Sequence, residues 1–150
     1  ESVKTDLLDV LSVLPKADSS PALALIEDVY KLASDFLSYS DYGRGRLHLR
    51  VVNNDGCTKF HTDNYTLRLF TTYVGKGTEW LPESAVNRTG LGKGNEHVVK
   101  NQTMIERMRP FEVGLLKGEI KNRSITKGIV HRSPKISHTG EKRIILRIDI

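Results

Sequence analysis

Hydrophobic positions along the chain follow a helical spacing first and an alternating one afterwards. Leu7, Leu8, Leu11 and Leu14 recur at near-helical spacing and stop at Pro15, which predicts a first helix ending at or just before that proline. A second helix is predicted with Ser20 as N-cap, Pro21 in the first helical position, and Leu25, Val29, Leu32 and Phe36 as its apolar stripe. From about Tyr42 the period becomes two. Leu47, Leu49 and Val51 alternate with Arg46, His48 and Arg50, and Leu67, Leu69, Thr71 and Tyr73 alternate with Arg68, Phe70, Thr72 and Val74. Residues 111–118, 128–133 and 142–150 predict three more strands, the last with Ile144, Leu146, Ile148 and Ile150 on one face. Helices followed by many short strands predict an α+β chain forming a single domain over 1–150. Its helical N-terminal part would be 1–41 and its β core, a small barrel or sandwich, 42–150.

Two stretches break the alternation. Residues 90–103, GLGKGNEHVVKNQT, are polar and glycine-rich and predict a long loop, either a lid beside a site or a plain surface loop. The glycines lack the spacing of a phosphate cradle. Around VGKGTEWLP, Gly75 and Gly77 predict a turn with positive φ, and Trp80 a core position.

Composition narrows the classes. A chain of 150 residues with 38% hydrophobic content can bury a core without metal or disulfide staples. No apolar run approaches the roughly 20 residues that span a bilayer, so no membrane partner is expected. The single cysteine, Cys57, leaves no internal disulfide and points to a reducing compartment, the cytoplasm. The net charge of +5 invites a nucleic-acid reading, but the cations are dispersed among 18 acidic residues and no nucleic-acid-binding signature is present. Nucleic acid is therefore not expected as a partner.

The chemistry concentrates in KFHTDNY. On an extended segment His61 and Asp63 leave the same face, about 6.5–7 Å apart, and both reach one cation lying over the strand. His131, on a distant predicted strand, completes two histidines and a carboxylate, the set that leaves open positions on non-haem Fe(II). Arg143 follows twelve residues later, at the start of the last strand. Fe(II)/2-oxoglutarate oxygenases resemble this layout, with a strand cation anchoring the far carboxylate of 2-oxoglutarate, a task suited to the planar guanidinium. Tyr73 and Arg68, on opposite faces of one strand, are further candidate cosubstrate contacts. Cys57 shares parity with His61, yet four extended residues place it roughly 13 Å away, so it joins a closed zinc site only if Gly56 bends the chain.

The segments CTKFHTDNYTLRLFTTYVGKGTEWLPESAVNRTGLG, FEVGLLKGE, GIVHRSP and EKRIILRIDI resemble a mainly bacterial family known as domain of unknown function 1826, from about Cys57 to the C-terminus. Two departures stand out. Phe111-Glu112 replaces a common Gly-Asp, and no tryptophan follows Lys117-Gly118-Glu119. The order H-x-D, His, Arg implies a cupin-like double-stranded β-helix, or jelly roll, with the N-terminal helices packed on it. It implies a metal at His61, Asp63 and His131, with or without Cys57, and 2-oxoglutarate at Arg143. Genes of that family often neighbour zinc-homeostasis genes, including a metal-chaperone type GTPase, so the resemblance implies a link to metal stress. Two readings stay open: an Fe(II)/2-oxoglutarate-dependent oxygenase acting on an unidentified small molecule or protein, or a non-catalytic zinc-binding protein of metal homeostasis.

Overall fold

The structure, a computed structural model, describes residues 19–39, 43–120 and 126–150. The helix predicted before Pro15 lies outside the described residues. The chain divides into two compact units, Glu1–Gly45 and Arg46–Ile150.

In the first unit, helix α1 (Ser20–Ser38) starts one residue beyond an extended Ser19, with Pro21 in its first turn, where a missing N–H costs nothing. Its buried positions are Ile26, Val29, Ala33 and Phe36. The expected stripe of Leu25, Val29, Leu32 and Phe36 is thus rotated, and Leu25 and Leu32 border it half-buried. Both sets satisfy a 3.6-residue period, so spacing alone leaves the rotation open. No helix among the described residues is long and apolar enough to cross a membrane.

The second unit is made of two antiparallel sheets. Strands β1 (Arg46–Val52), β2 (Leu67–Val74), β5 (Val113–Lys117) and β7 (Arg143–Asp149) form the larger, in the order β1-β7-β2-β5. Strands β3 (Glu79–Leu81), β4 (Glu106–Arg107) and β6 (Val130–Arg132) form the smaller, in the order β4-β3-β6. An isolated bridge between His61 and His131 extends the second sheet beyond β6. With the helix this is an α+β chain. The five expected strands are present, whereas β3 and β4 were not foreseen, since two or three residues are too few for an alternation to register.

Register gives the larger sheet two unlike faces. Leu69 stands opposite Ile148 and Thr71 opposite Leu146, all buried, as expected of an apolar face worth roughly 1.5–3 kcal/mol per fully buried aliphatic side chain. The opposite face carries Arg68, Phe70, Thr72, Arg143, Ile145 and Arg147. A second core, Phe60, Leu81, Ala85, Val86, Val98, Val99 and Val130, belongs to the smaller sheet and the segments beside it.

Part of that core comes from the segment expected to be a lid or surface loop. Residues 90–103 contain a short helix, α2 (Asn95–Val98), followed by a 3-10 turn at Gln102–Met104. Val98 and Val99 are buried, and backbone bonds Asn87 N–H to Val98 O (2.7 Å) and Lys100 N–H to Ala85 O (2.9 Å) fasten the segment down. Its buried valines, diluted by polar neighbours in the sequence, make it a bracket. At the β2–β3 turn, Gly75 has the expected positive φ of 83°, while Gly77 is needed because the Met108 carbonyl fills the place of a side chain. Trp80, expected in the core, is half-buried. Phe111 sits at φ 67°, the left-handed region that glycine enters without strain.

Candidate metal centre

The segment carrying His61 is not an extended strand. Gly56 turns the chain at φ 59°, and the Ser133 N–H donates to the Cys57 carbonyl at 2.8 Å. Asn95 then clamps the next residues: its Oδ1 accepts from Phe60 N–H at 2.7 Å and its Nδ2 donates to Thr58 O at 2.9 Å. Phe60 is buried, with the Arg132 guanidinium 4.3 Å over its ring. His61 and His131 exchange both backbone hydrogen bonds at 3.0 Å, and Asp63 O accepts from Glu119 N–H at 2.7 Å. Three distant parts of the chain thereby fix the backbone of the H-x-D segment.

The side chains converge as that backbone requires. His61 Nδ1 lies 2.8 Å from Lys59 O and His131 Nδ1 lies 3.1 Å from Ile129 O. A carbonyl only accepts, so each Nδ1 carries the hydrogen, and in the neutral ring each Nε2 keeps a lone pair. Both lone pairs face the same carboxylate: His61 Nε2 is 3.7 Å from Asp63 Oδ1, and His131 Nε2 is 3.3 Å from Asp63 Oδ2. One ligand atom from each of the three residues lies within 4.8 Å of the others.

Ligands bonded at about 2.1 Å to one ion stand about 3.0–3.4 Å apart for right-angle to tetrahedral arrangements. The two histidine–carboxylate separations, 3.7 and 3.3 Å, lie close to that range. Acceptors converging on one point repel each other unless a proton or cation lies between them, and backbone carbonyls on the far ring nitrogens are the usual outer support of a metal-binding histidine. Burial is the main influence pulling the His61 pKa below its ordinary value, outweighing the Lys59 carbonyl. Burial would raise Asp63, but the positive groups around it, His131 when its ring is protonated and Arg68, hold it below the usual range. A neutral imidazole and an ionised carboxylate are the forms that bind a metal.

Arg68, expected as a cosubstrate contact, borders the cavity and has two of its donor groups committed to acids. Its Nη1 binds Asp63 Oδ2, and its Nε donates to Asp149 Oδ1 at 2.5 Å. The Arg68 and Asp149 side chains are both buried. Tyr73 meets Phe111 edge-on, with ring centroids 5.8 Å apart, and is not among the residues lining the cavity beside the triad. That cavity, of about 320 Å³, is bordered by His61, His131, Arg143 and Thr78 among others.

Arg143 is 2% exposed. Its Nη2 lies 3.5 Å from Thr72 Oγ1, its Nε has no partner, and no carboxylate pairs with it among the described residues. Burial pulls its pKa down to about 10, opposed only by the more distant charge of Glu79. A buried, unpaired guanidinium facing a cavity is costly unless an anion enters to meet it.

Cys57 occupies a different position from the one its parity predicts. A bend at Lys59, between the two residues, brings its Sγ to 3.6 Å from His61 Nδ1, beside that nitrogen and not beside the Nε2 that faces Asp63. The sulfur is exposed and stands outside the three-residue cluster. A separate cleft of about 500 Å³ between Trp80, Met108, Leu115 and Ile129 is larger, but contains none of the triad and no cation.

The sequence reasoning missed Asn95, which sits 35 residues from its partner Phe60, and the shared parity of Arg143 and Arg147 with Arg68 across the sheet. The second of these was visible in the strand alternation.

No curated protein and no solved structure matches the chain. The family model described as protein of unknown function (DUF1826) matches residues 2–149, a span that takes in the triad, its clamps and the cavity arginines. The chain belongs to that family.

Proposed function

We propose that the protein is a non-haem Fe(II)- and 2-oxoglutarate-dependent oxygenase built on a double-stranded β-helix. The observation that carries the reading is the convergence of His61 Nε2, His131 Nε2 and the Asp63 carboxylate at the wall of a cavity whose buried guanidinium, Arg143, has no acid partner. Two histidines and one carboxylate leave the remaining positions of an iron ion open. The strand order supports the fold. Successive segments fall on the larger sheet (β1), the smaller (His61), the larger (β2), the smaller (β3 and β4), the larger (β5), the smaller (β6) and the larger (β7), the alternation of a jelly roll.

His61, Asp63 and His131 hold the ion, and Arg68 holds Asp63 in place. Arg143 receives the far carboxylate of 2-oxoglutarate through its planar fork. Iron with 2-oxoglutarate and O2 supplies oxidation of an otherwise unreactive substrate position, coupled to loss of CO2 from the cosubstrate and formation of succinate. The position of Cys57 beside His61 Nδ1 supports an open three-ligand site over a closed four-ligand zinc site. The cytoplasm suits this chemistry, because a reducing compartment keeps iron as Fe(II) and Cys57 as a thiol.

The test is metal analysis of anaerobically purified protein, followed by an assay for 2-oxoglutarate-dependent succinate formation. The reading predicts about one Fe(II) per chain and turnover that Arg143→Gln weakens through KM. Stoichiometric zinc with no succinate would overturn it in favour of a metal-homeostasis protein.

A further inference from the structure

The cavity beside the triad holds more positive charge than the cosubstrate can use. Five arginines border it: Arg50, Arg68, Arg132, Arg143 and Arg147. Three carboxylates meet them. Asp63 and Asp149 hold Arg68, and Glu79 accepts from Arg132 at 2.7 Å. Arg147 Nε stands 3.1 Å from Asp149 Oδ2 as an ion pair without a hydrogen bond, so Asp149 is shared between Arg68 and Arg147 and balances only one of the two charges. Arg50 pairs with no acid among the described residues.

The strand register places these surplus charges together. Arg50 on β1 stands opposite Ile145 on β7, His48 opposite Arg147, and Val52 opposite Arg143. Arg50 therefore lies diagonally between the two β7 arginines, about 7–8 Å from each at the backbone, well within reach of long side chains. Exposure grades along this face. Arg143 is fully buried, the Arg147 side chain is 28% exposed, and Arg50 is exposed. Arg143 is the deep site and the other two form the mouth.

We propose that Arg50 and Arg147 form a second oxyanion subsite, and that the substrate is a small molecule bearing a carboxylate or phosphate held there. This rests on the oxygenase reading for the role of Arg143. In that reading one end of 2-oxoglutarate goes to the metal and the other to Arg143, so its two carboxylates are accounted for and the mouth pair keeps an uncompensated positive charge. A cavity of about 320 Å³ is at the small end for ligand sites, which leaves room beside the cosubstrate for a small anion only. Positive charge at the mouth also draws such an anion in from solution.

The test uses two monofunctional probes, methyl phosphate and propionate, titrated by calorimetry into protein loaded with Mn(II) and saturating 2-oxoglutarate, without O2. The proposal expects at least one probe to bind. Arg50→Gln and Arg147→Gln should each weaken it about tenfold or more, the scale of a lost charged hydrogen bond. The affinity for 2-oxoglutarate should change less than about twofold in both variants, whereas Arg143→Gln should lose it. The probe that binds tells phosphate from carboxylate. Failure of both probes to bind the wild-type protein more tightly than the double variant overturns the proposal. So does a loss of 2-oxoglutarate affinity in the double variant as large as that in Arg143→Gln. The same titration on metal-free protein separates the two readings: if neither metal nor 2-oxoglutarate binds but an Arg50-dependent anion site persists, the oxygenase reading falls and the subsite stands. Circular dichroism melting of each variant controls for folding.

Discussion

Arg68→Met perturbs the residue on which the geometry of the site most depends. In the wild-type protein the Arg68 guanidinium bridges Asp63 and Asp149, two carboxylates 9% and 1% exposed at the side chain, and lies 4.9 Å from the ring centre of Tyr65. Methionine keeps most of the volume and removes the charge, leaving Asp63 without its guanidinium and Asp149 with only the approach of Arg147. Breaking a buried ion pair by removing one partner costs about 3–5 kcal/mol. For a chain of this size each kcal/mol moves the melting temperature by about 2–4 °C, so the metal-free variant should melt about 10 °C lower. The metal response should change in the opposite sense. A divalent cation at Asp63 supplies the positive charge the variant lacks and no longer meets repulsion from Arg68. The Mn(II)-induced rise in melting temperature should therefore be larger in the variant than in the wild type, and calorimetry should read tighter binding. Thermal melting with EDTA and with saturating Mn(II) measures both effects. A fall of less than about 3 °C, or equal metal-induced rises in the two proteins, would refute the reasoning.

Three further outcomes are expected. Asn95→Leu releases the clamp on Thr58 and Phe60, so metal affinity measured by calorimetry should drop about tenfold, as for other outer-support residues, while the metal still binds. Cys57→Ser should leave metal affinity within about twofold, because the sulfur lies beside the wrong nitrogen of His61, and a large loss would instead place sulfur on the metal. For Glu79, burial would raise the carboxyl, but the hydrogen bonds from Arg107 and Arg132 hold it below its ordinary value of 4.5. Its stabilisation is therefore present above pH 4.5 and lost as the pH falls through the lower folded-state value. Glu79→Gln should cost about 1–3 kcal/mol at pH 7 and much less in strong acid, which denaturant melts across pH would detect.

How much could be read in advance depended on how far each feature reaches along the chain. The alternation of Leu47, Leu49 and Val51 or of Ile144, Leu146 and Ile148 is local and reports its strand directly, whereas the parity of His61 and Asp63 presumed a strand where the chain makes only one isolated bridge, at His61. Strands β3 and β4 are too short to leave such a pattern. Val98 and Val99 are core residues in a segment whose composition is that of a loop, because burial there comes from tertiary contact and not from periodicity. The double role of Arg68 depends on Asp149, 81 residues away, and on a sheet order that no local pattern encodes. The zinc-versus-iron question turned on Cys57, and the extended-chain distance of roughly 13 Å did not apply because the backbone bends at Lys59, between Cys57 and His61. Proximity to His61 was therefore available, but at the wrong ring nitrogen.

The central claim is that His61, Asp63 and His131 hold an iron ion whose open positions serve 2-oxoglutarate. Its most direct test is a paired measurement on wild-type protein and His131→Ala, both reconstituted with Fe(II) without O2 and then exposed to O2 and 2-oxoglutarate. The account predicts one tightly bound Fe(II) per wild-type chain with succinate formation even without added substrate, and loss of both in His131→Ala at an unchanged circular dichroism spectrum. Full metal retention by folded His131→Ala, or wild-type protein that binds zinc alone and forms no succinate, would contradict it.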